Sequence, residues 1–209
     1  MTNELRSNRI DDILLHKQPS LQLFLDDVHN SQNLSAILRS CDGVGILDLY
    51  YSTVNDKDLR IHKTITQGAH HWVNRHRIVH NGRCQFLKEK QEEGFQVVVT
   101  HFSDKAVSFR EINYTRPTVI VMGNEKEGVS EEVIALADEL IKIPMMGMVQ
   151  SLNVSVATAL VLYEAQRQRE NEGCYAEPEL SEEDCVKIRE EWLFRDMIAR
   201  RSKGRIPVS

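Results

Sequence analysis

The 209 residues are 41% hydrophobic and 27% charged, and their net charge is −5. That balance belongs to a globular chain that buries one substantial core, and taken alone its mildly acidic sum speaks against a nucleic-acid partner. No run of about 18 uncharged apolar residues is present to span a membrane.

In chain order, Thr2 to Lys17 reads as an amphipathic helix with Leu5, Ile10, Ile13 and Leu14 on one side, stopped by Pro19. "LQLFLDDV" is a short strand. "NLSAILRSCDGVG" is a helix with Asn33 in the N-cap position and glycine at its end. "ILDLYYS" and "HHWVNRHRIVH" read as strands, and "RCQFLKEKQEEG" as a helix closed by Gly94. "FQVVVTHF" and "PTVIVMG" are near-continuous β-branched runs, as strands buried on both faces of a parallel sheet require. Between them "AVSFREINY" reads as irregular. "SEEVIALADE" is a helix capped by Ser130, "LIKIP" is the last strand, and Asn153 to about Glu172 is the longest helix. Strands alternating with helices predict an α/β, mostly parallel open sheet. Residues 1–19 and 174–209 are expected as helical extensions of a domain over 20–173, with a hinge around Pro178.

The opening MTNELRSNRIDD lacks the apolar run of a secretory signal. Cys41, Cys84, Cys174 and Cys185 stand far apart with no Cys-x-x-Cys pair, as free thiols in a reducing cytoplasm do. His70, His71, His76 and His80 have no Cys, Asp or Glu among them, so no metal is expected there. Charge is unevenly spread. Glu170 to Glu191 holds nine carboxylates, whereas Arg195 to Arg205 holds five basic residues against Asp196, an end that can hold phosphate in an acidic chain.

Ligands of such sheets bind where strands end at their carboxyl side. Three loops leave strands that way: "VVVTHFSD", "VMGNEKEGVS" and "IPMMGMVQSLN". Backbone amides and methionines with little charge suit a flat, partly apolar ligand such as an adenine ring. Taken singly, Met145, Met146 and Met148 read as fillers of core gaps. Arg39 fits no core role on a helix whose Leu34, Ile37 and Leu38 should be buried. It either snorkels to solvent or, with Asn33, offers a cation and an amide to a phosphate or ribose.

"NLSAILRSCDGVGI", "VMGNEKEGVS" and "IPMMGMVQSLNVSVATALVLYEAQRQR" together resemble the three motifs of the SPOUT superfamily of RNA methyltransferases, in its SpoU branch, which methylates ribose 2′-hydroxyls. The resemblance covers roughly Leu21 to Arg169. It implies a trefoil knot in the C-terminal part of the sheet, a homodimer and S-adenosylmethionine as methyl donor. The linking segments and basic C-terminal extension are similar to those of branch members that act on guanosine 18 of tRNA. The resemblance implies cofactor contacts at Thr100, Gly123, Ile143 and Leu152, and catalytic positions at Asn33, Arg39, Glu125, Ser151 and Asn153. Gln32 stands where relatives often carry His. Arg39 would act as general base or as a cation gripping the neighbouring phosphate, since a guanidine is scarcely neutral near pH 7. Arg6, Arg9, Arg167, Arg169, Arg195, Arg200, Arg201, Lys203 and Arg205 would line a tRNA groove. A ribosomal-RNA ribose methyltransferase and a non-catalytic RNA-binding relative are the alternatives. Ribosomal-RNA members often carry an extra N-terminal RNA-binding domain, and about 20 residues stand before the first strand here, so the tRNA enzyme is the expectation.

Overall fold

A computed structural model describes residues 3–124 and 126–201, with side chains over 5–124 and 126–198. Seven strands form one sheet: β1 (Leu21–Leu25), β2 (Asp48–Tyr51), β3 (Asn74–Arg77), β4 (Gln96–Thr100), β5 (Val107–Ser108), β6 (Thr118–Met122) and β7 (Glu139–Lys142). Their order is β3-β2-β1-β6-β4-β7-β5, and every pairing between them is parallel. Strands β1 and β6 are buried along their whole length, which is why their sequences carry no polar alternation.

Period-two alternation splits each central strand between two cores. Leu21, Leu23 and Leu25 face helices α2 (Ser31–Gly43) and α6 (Val154–Asn171) through Leu34, Ile37, Leu38, Val161, Leu162 and Ala165. Phe24, Val97, Val99, Val119 and Val121 face α4 (Arg83–Glu92) through Phe86 and Leu87. Two short helical turns, α3 (Lys63–Thr66) and α5 (Glu131–Ile134), close loops at the strand ends. No helix among the described residues is long and apolar enough to cross a membrane.

Several sequence expectations are corrected. Helix α2 begins at Ser31, because Asn30 takes the cap: its Oδ1 accepts from Gln32 N at 2.8 Å and Asn33 N at 3.3 Å. Asn33 therefore lies inside the first turn. Segment 107–108 pairs as edge strand β5 with β7 where an irregular stretch was expected. His70, His71 and His80 lie in 3-10 turns flanking β3, so only His76 of that group is on a strand. The helix after Ser130 is a single turn, and the Ser130 hydroxyl donates to Asp26 at 2.8 Å instead of capping it.

The longest helix is α7 (Glu182–Arg201), with 20 residues against 18 in α6. It packs on α1 (Asn3–Leu14), where Ile10, Leu14 and Trp192 bury one another together with Leu47. Leu5, expected on the same apolar side, is exposed. Arg189 donates to Asp11 and to Ser7, and Arg6 pairs with Asp196, so the two ends of the described chain form one unit.

Candidate active site

The three loops foreseen at the carboxyl ends of the strands do meet. Strands β4, β6 and β7 lie side by side, and the loops that leave them wall one cavity of about 650 Å³. That volume is in the range of small-molecule sites. One side is apolar, from Met122, Ile141, Ile143, Met145, Leu152 and Ala157. The other is backbone and polar side chains from Gly123, Asn124, Lys126, Glu127 and Gly128 and from Gln150, Ser151 and Asn153. Thr100, Gly123, Ile143, Leu152, Ser151 and Asn153 all line it. Met146 and Met148 do not fill the core as expected: they are 95% and 99% exposed on the loop after β7, while Met145 is half-buried in the cavity wall. Glu125 lies outside the described residues.

Asn124 shapes the loop after β6. Its side-chain Oδ1 accepts from Lys126 N at 3.0 Å and Glu127 N at 2.9 Å, while its backbone exchanges two hydrogen bonds with Gly128. The turn is so tight that a Cβ at Gly123 would come within 2.0 Å of the Gly128 carbonyl carbon. Only glycine fits there. Sequence reasoning singled out Gly123 and passed over Asn124, although an Asn followed four residues later by Gly is a turn signal.

Beneath this loop sits a buried ionic brace that the sequence did not disclose. Arg83 Nη1 donates to Asp26 Oδ1 at 2.8 Å and to Asp27 Oδ2 at 2.6 Å. Asp26 Oδ2 accepts from both Ser130 N and Ser130 Oγ at 2.8 Å, tying the end of β1 to the end of the cavity loop. All three charged side chains are buried, and Asp27 reaches its place through a left-handed backbone, φ 51°.

Asn153 caps α6, accepting from Ser155 N at 2.8 Å, and its amide donates to Asn33 Oδ1 at 3.2 Å. Two of the expected catalytic side chains thus touch, joining the first motif to the third. Past them opens a second cavity of about 670 Å³, lined by His29, Asn30, Ser31, Gln32, Asn33, His62, Lys126 and Asn153. It shares Lys126 and Asn153 with the first. Arg39 does not join this group. It is exposed on α2, lines neither cavity, and stands one helical turn before Gly43, against which the Tyr163 hydroxyl packs.

The basic residues expected to line a nucleic-acid groove separate into three kinds. Arg169 is the correction: its side chain is fully buried, donating to Tyr114 O, Gln18 Oε1, Ser20 Oγ, Ser20 O, Arg116 O and Glu179 Oε1, so no phosphate can reach it. Others are exposed or half-buried, and partnered. Arg167 bonds Glu164 and holds that carboxyl below the usual carboxylate range, Arg195 bonds Asn74 and Glu191, and Arg6 pairs with Asp196. Arg9 is exposed at the edge of a groove that also carries Asp12, Asp42 and Glu170. Lys203, Arg205 and the side chains of Arg200 and Arg201 lie outside the described residues.

The chain is similar to the tRNA (guanosine(18)-2′-O)-methyltransferase of Aquifex aeolicus, with 48% identity over 200 residues, 96% of this chain and 94% of the relative. A crystal structure of the A. aeolicus TrmH/SpoU tRNA modifying enzyme superposes with a TM-score of 0.89 at 49% identity, covering 92% of this chain and 97% of that one. An AdoMet-bound rRNA methyltransferase from Sinorhizobium meliloti superposes with a TM-score of 0.64 at 30% identity, over 76% of this chain and 59% of the other. The pattern of the SpoU rRNA methylase family matches residues 20–163, and the chain belongs to that family.

Proposed function

We propose that this chain transfers a methyl group from S-adenosylmethionine to the 2′-hydroxyl of guanosine 18 in tRNA. The observation that carries the reading is the first cavity, with one apolar and one polar wall, bordered by Asn153, which bonds Asn33. It occurs in a chain alike over nearly its whole length to an enzyme of that name. The lining fits the cofactor: apolar walls accept an adenine ring and a sulfonium whose charge is quenched during transfer, and main-chain groups of the cramped Gly123 turn can bond its edges. Thr100, Gly123, Ile143 and Leu152 would hold it. S-adenosylmethionine would supply the methyl from its sulfonium sulfur, and Arg39 or the neighbouring phosphate would take the ribose hydroxyl's proton.

What the protein adds is placement. Asn153, fixed at once by its cap and by Asn33, orients the ribose, and holding two reactants in line can supply several kcal/mol of the barrier, up to about 7–11. Ser151 stands beside it on the cavity wall. Residues 20–173, with the C-terminal part threaded as a knot, form the catalytic domain in this reading. A homodimer belongs to it as well. Val156, Leu160 and Tyr163 are exposed along one side of α6, and a second copy covering them would also meet Arg39 beside Gly43. Arg39 would then act in the assembled pair.

The test is methyl incorporation from labelled S-adenosylmethionine into a tRNA transcript, followed by mapping of alkali-resistant ribose linkages. Label at guanosine 18, absent from a transcript with 2′-deoxyguanosine there, is the expected result. Incorporation confined to ribosomal RNA would overturn it.

A further inference from the structure

We infer that the second cavity seats the sugar–phosphate backbone of the RNA around the methylated nucleotide, with His62 and Lys126 as its phosphate-binding side chains. This rests on the RNA-methylation reading and deepens it.

The two cavities share Asn153 and Lys126 yet differ sharply in chemistry. The first has an apolar wall. The second has none: its described lining is two imidazoles, one ammonium, four side-chain amides and one hydroxyl, with no carboxylate. The groove at Arg9, by contrast, carries Asp12, Asp42 and Glu170 among its lining residues. A cofactor's purine would find little there. A phosphodiester-linked ribose would find amides for its hydroxyls and cationic or N–H donors for its phosphates.

The cavity is also built rather than incidental. His62 Nε2 shares a hydrogen with Ser31 Oγ at 2.8 Å, while the His62 backbone N–H donates to Ser35 Oγ at 2.9 Å. Ser35 Oγ in turn donates to Ser31 O at 2.7 Å. These bonds fasten a loop residue, 31 positions away in the chain, to the first turn of α2. They leave Nδ1 as the ring nitrogen without a described protein partner. When the Ser31 hydroxyl donates to Nε2, the neutral ring carries its proton on Nδ1, a donor suited to a phosphate oxygen. Across the cavity, Lys126 is exposed on the loop that Asn124 holds in shape. Asn33 and Asn153 lie in the same lining, so a ribose between His62 and Lys126 would reach the mouth of the first cavity.

The experiment uses the full chain and reads binding apart from turnover. Fluorescence anisotropy of a labelled tRNA transcript is measured across salt for wild type, His62→Ala, His62→Gln and Lys126→Ala. S-adenosylmethionine affinity and thermal melts are recorded alongside. We expect Lys126→Ala to flatten the slope of log K against log salt by about 0.7–0.9, one phosphate contact. His62→Ala should weaken tRNA binding about tenfold, with His62→Gln partly restoring it, while S-adenosylmethionine affinity stays within twofold. The inference is overturned if both Ala variants keep the wild-type tRNA affinity and salt slope, or if only cofactor binding falls. A wild type that binds and methylates a ribosomal-RNA fragment in place of tRNA sinks the tRNA reading alone, and the same slopes measured on that fragment still decide for or against the cavity.

Discussion

Replacing Arg169 by Met should cost about 3–5 kcal/mol of stability, the range for breaking a buried charged pair by removing one partner. The side chain is fully buried and donates to six acceptors. Those acceptors come from three places: Gln18 and Ser20 before β1, Tyr114 and Arg116 before β6, and Glu179 before α7. Six orphaned acceptors at about 1–3 kcal/mol each would give a far larger sum. However, Glu179 is partly exposed and regains water when the guanidinium leaves, so the full sum is an upper bound and the pair-breaking range is the expected cost. For a chain of this length that is a fall in Tm of roughly 6–20 °C. Urea unfolding at one fixed protein concentration, with the m-value unchanged, is the assay. Arg169→Lys should fall between, since an ammonium keeps the charge toward Glu179 but has three donors where the fork uses six bonds. A Met variant melting within about 2 °C of wild type, but with a flatter salt dependence of tRNA binding, would refute the burial argument and return Arg169 to a nucleic-acid surface.

Gly123→Ala should weaken S-adenosylmethionine binding at least tenfold and destabilise by about 1–3 kcal/mol, because the new methyl collides with backbone at Gly128 and Val129; unchanged calorimetric affinity would contradict it. Arg83→Met should cost about 3–5 kcal/mol, leaving Asp26 and Asp27 buried without their cation, and a loss below about 1 kcal/mol in urea would show that the brace is dispensable. Burial holds the Lys17 ammonium below its ordinary pKa despite Asp42, so the folded state binds its proton less well than the unfolded chain does. Wild-type stability should therefore gain from Lys17 as pH rises from that lowered value to the ordinary one. Lys17→Met should be the more stable protein near neutrality, by about 1 kcal/mol, with the gap closing in alkali; a gap that widens would be contrary. Removing residues 202–209 should flatten the salt slope of tRNA binding and leave the melt unchanged, whereas cutting before Arg195 should also lower Tm, since Arg195 and Asp196 are bonded to Asn74 and Arg6.

The sheet was legible because its central strands are buried on both faces, and β-branched runs such as Val97–Val99 and Val119–Val121 have no other comfortable place. The site was legible because strand order forces the loops after β4, β6 and β7 together. Choices between near-equal local options were not legible. Asn30 and Asn33 are both good caps three residues apart, and only the packing of α2 decides between them. Nor were pairings made over long separations. Arg169 sits in "QRQRENEG", a stretch in which every side chain reads as solvated, and its burial is created by partners about 150 positions earlier. Asp26 and Arg83 are 57 positions apart, and only the folding of α4 against the end of β1 brings them together.

The junction of α1 with α7 also sets an order of events during synthesis. Ile10 and Leu14 leave the ribosome early, but the Trp192 surface that covers them is made nearly 180 residues later. At about 5–20 residues per second, that is roughly 10–40 s in which α1 can reach Leu47 but lacks its Trp192 cover. A nascent chain stalled before α7 would carry a finished central sheet and a loose, sticky first helix, a natural target for a holdase. Completion of α7 is then what finishes the cover over Ile10 and Leu14, so the last helix and the concealment of that face of the first arrive as a single step.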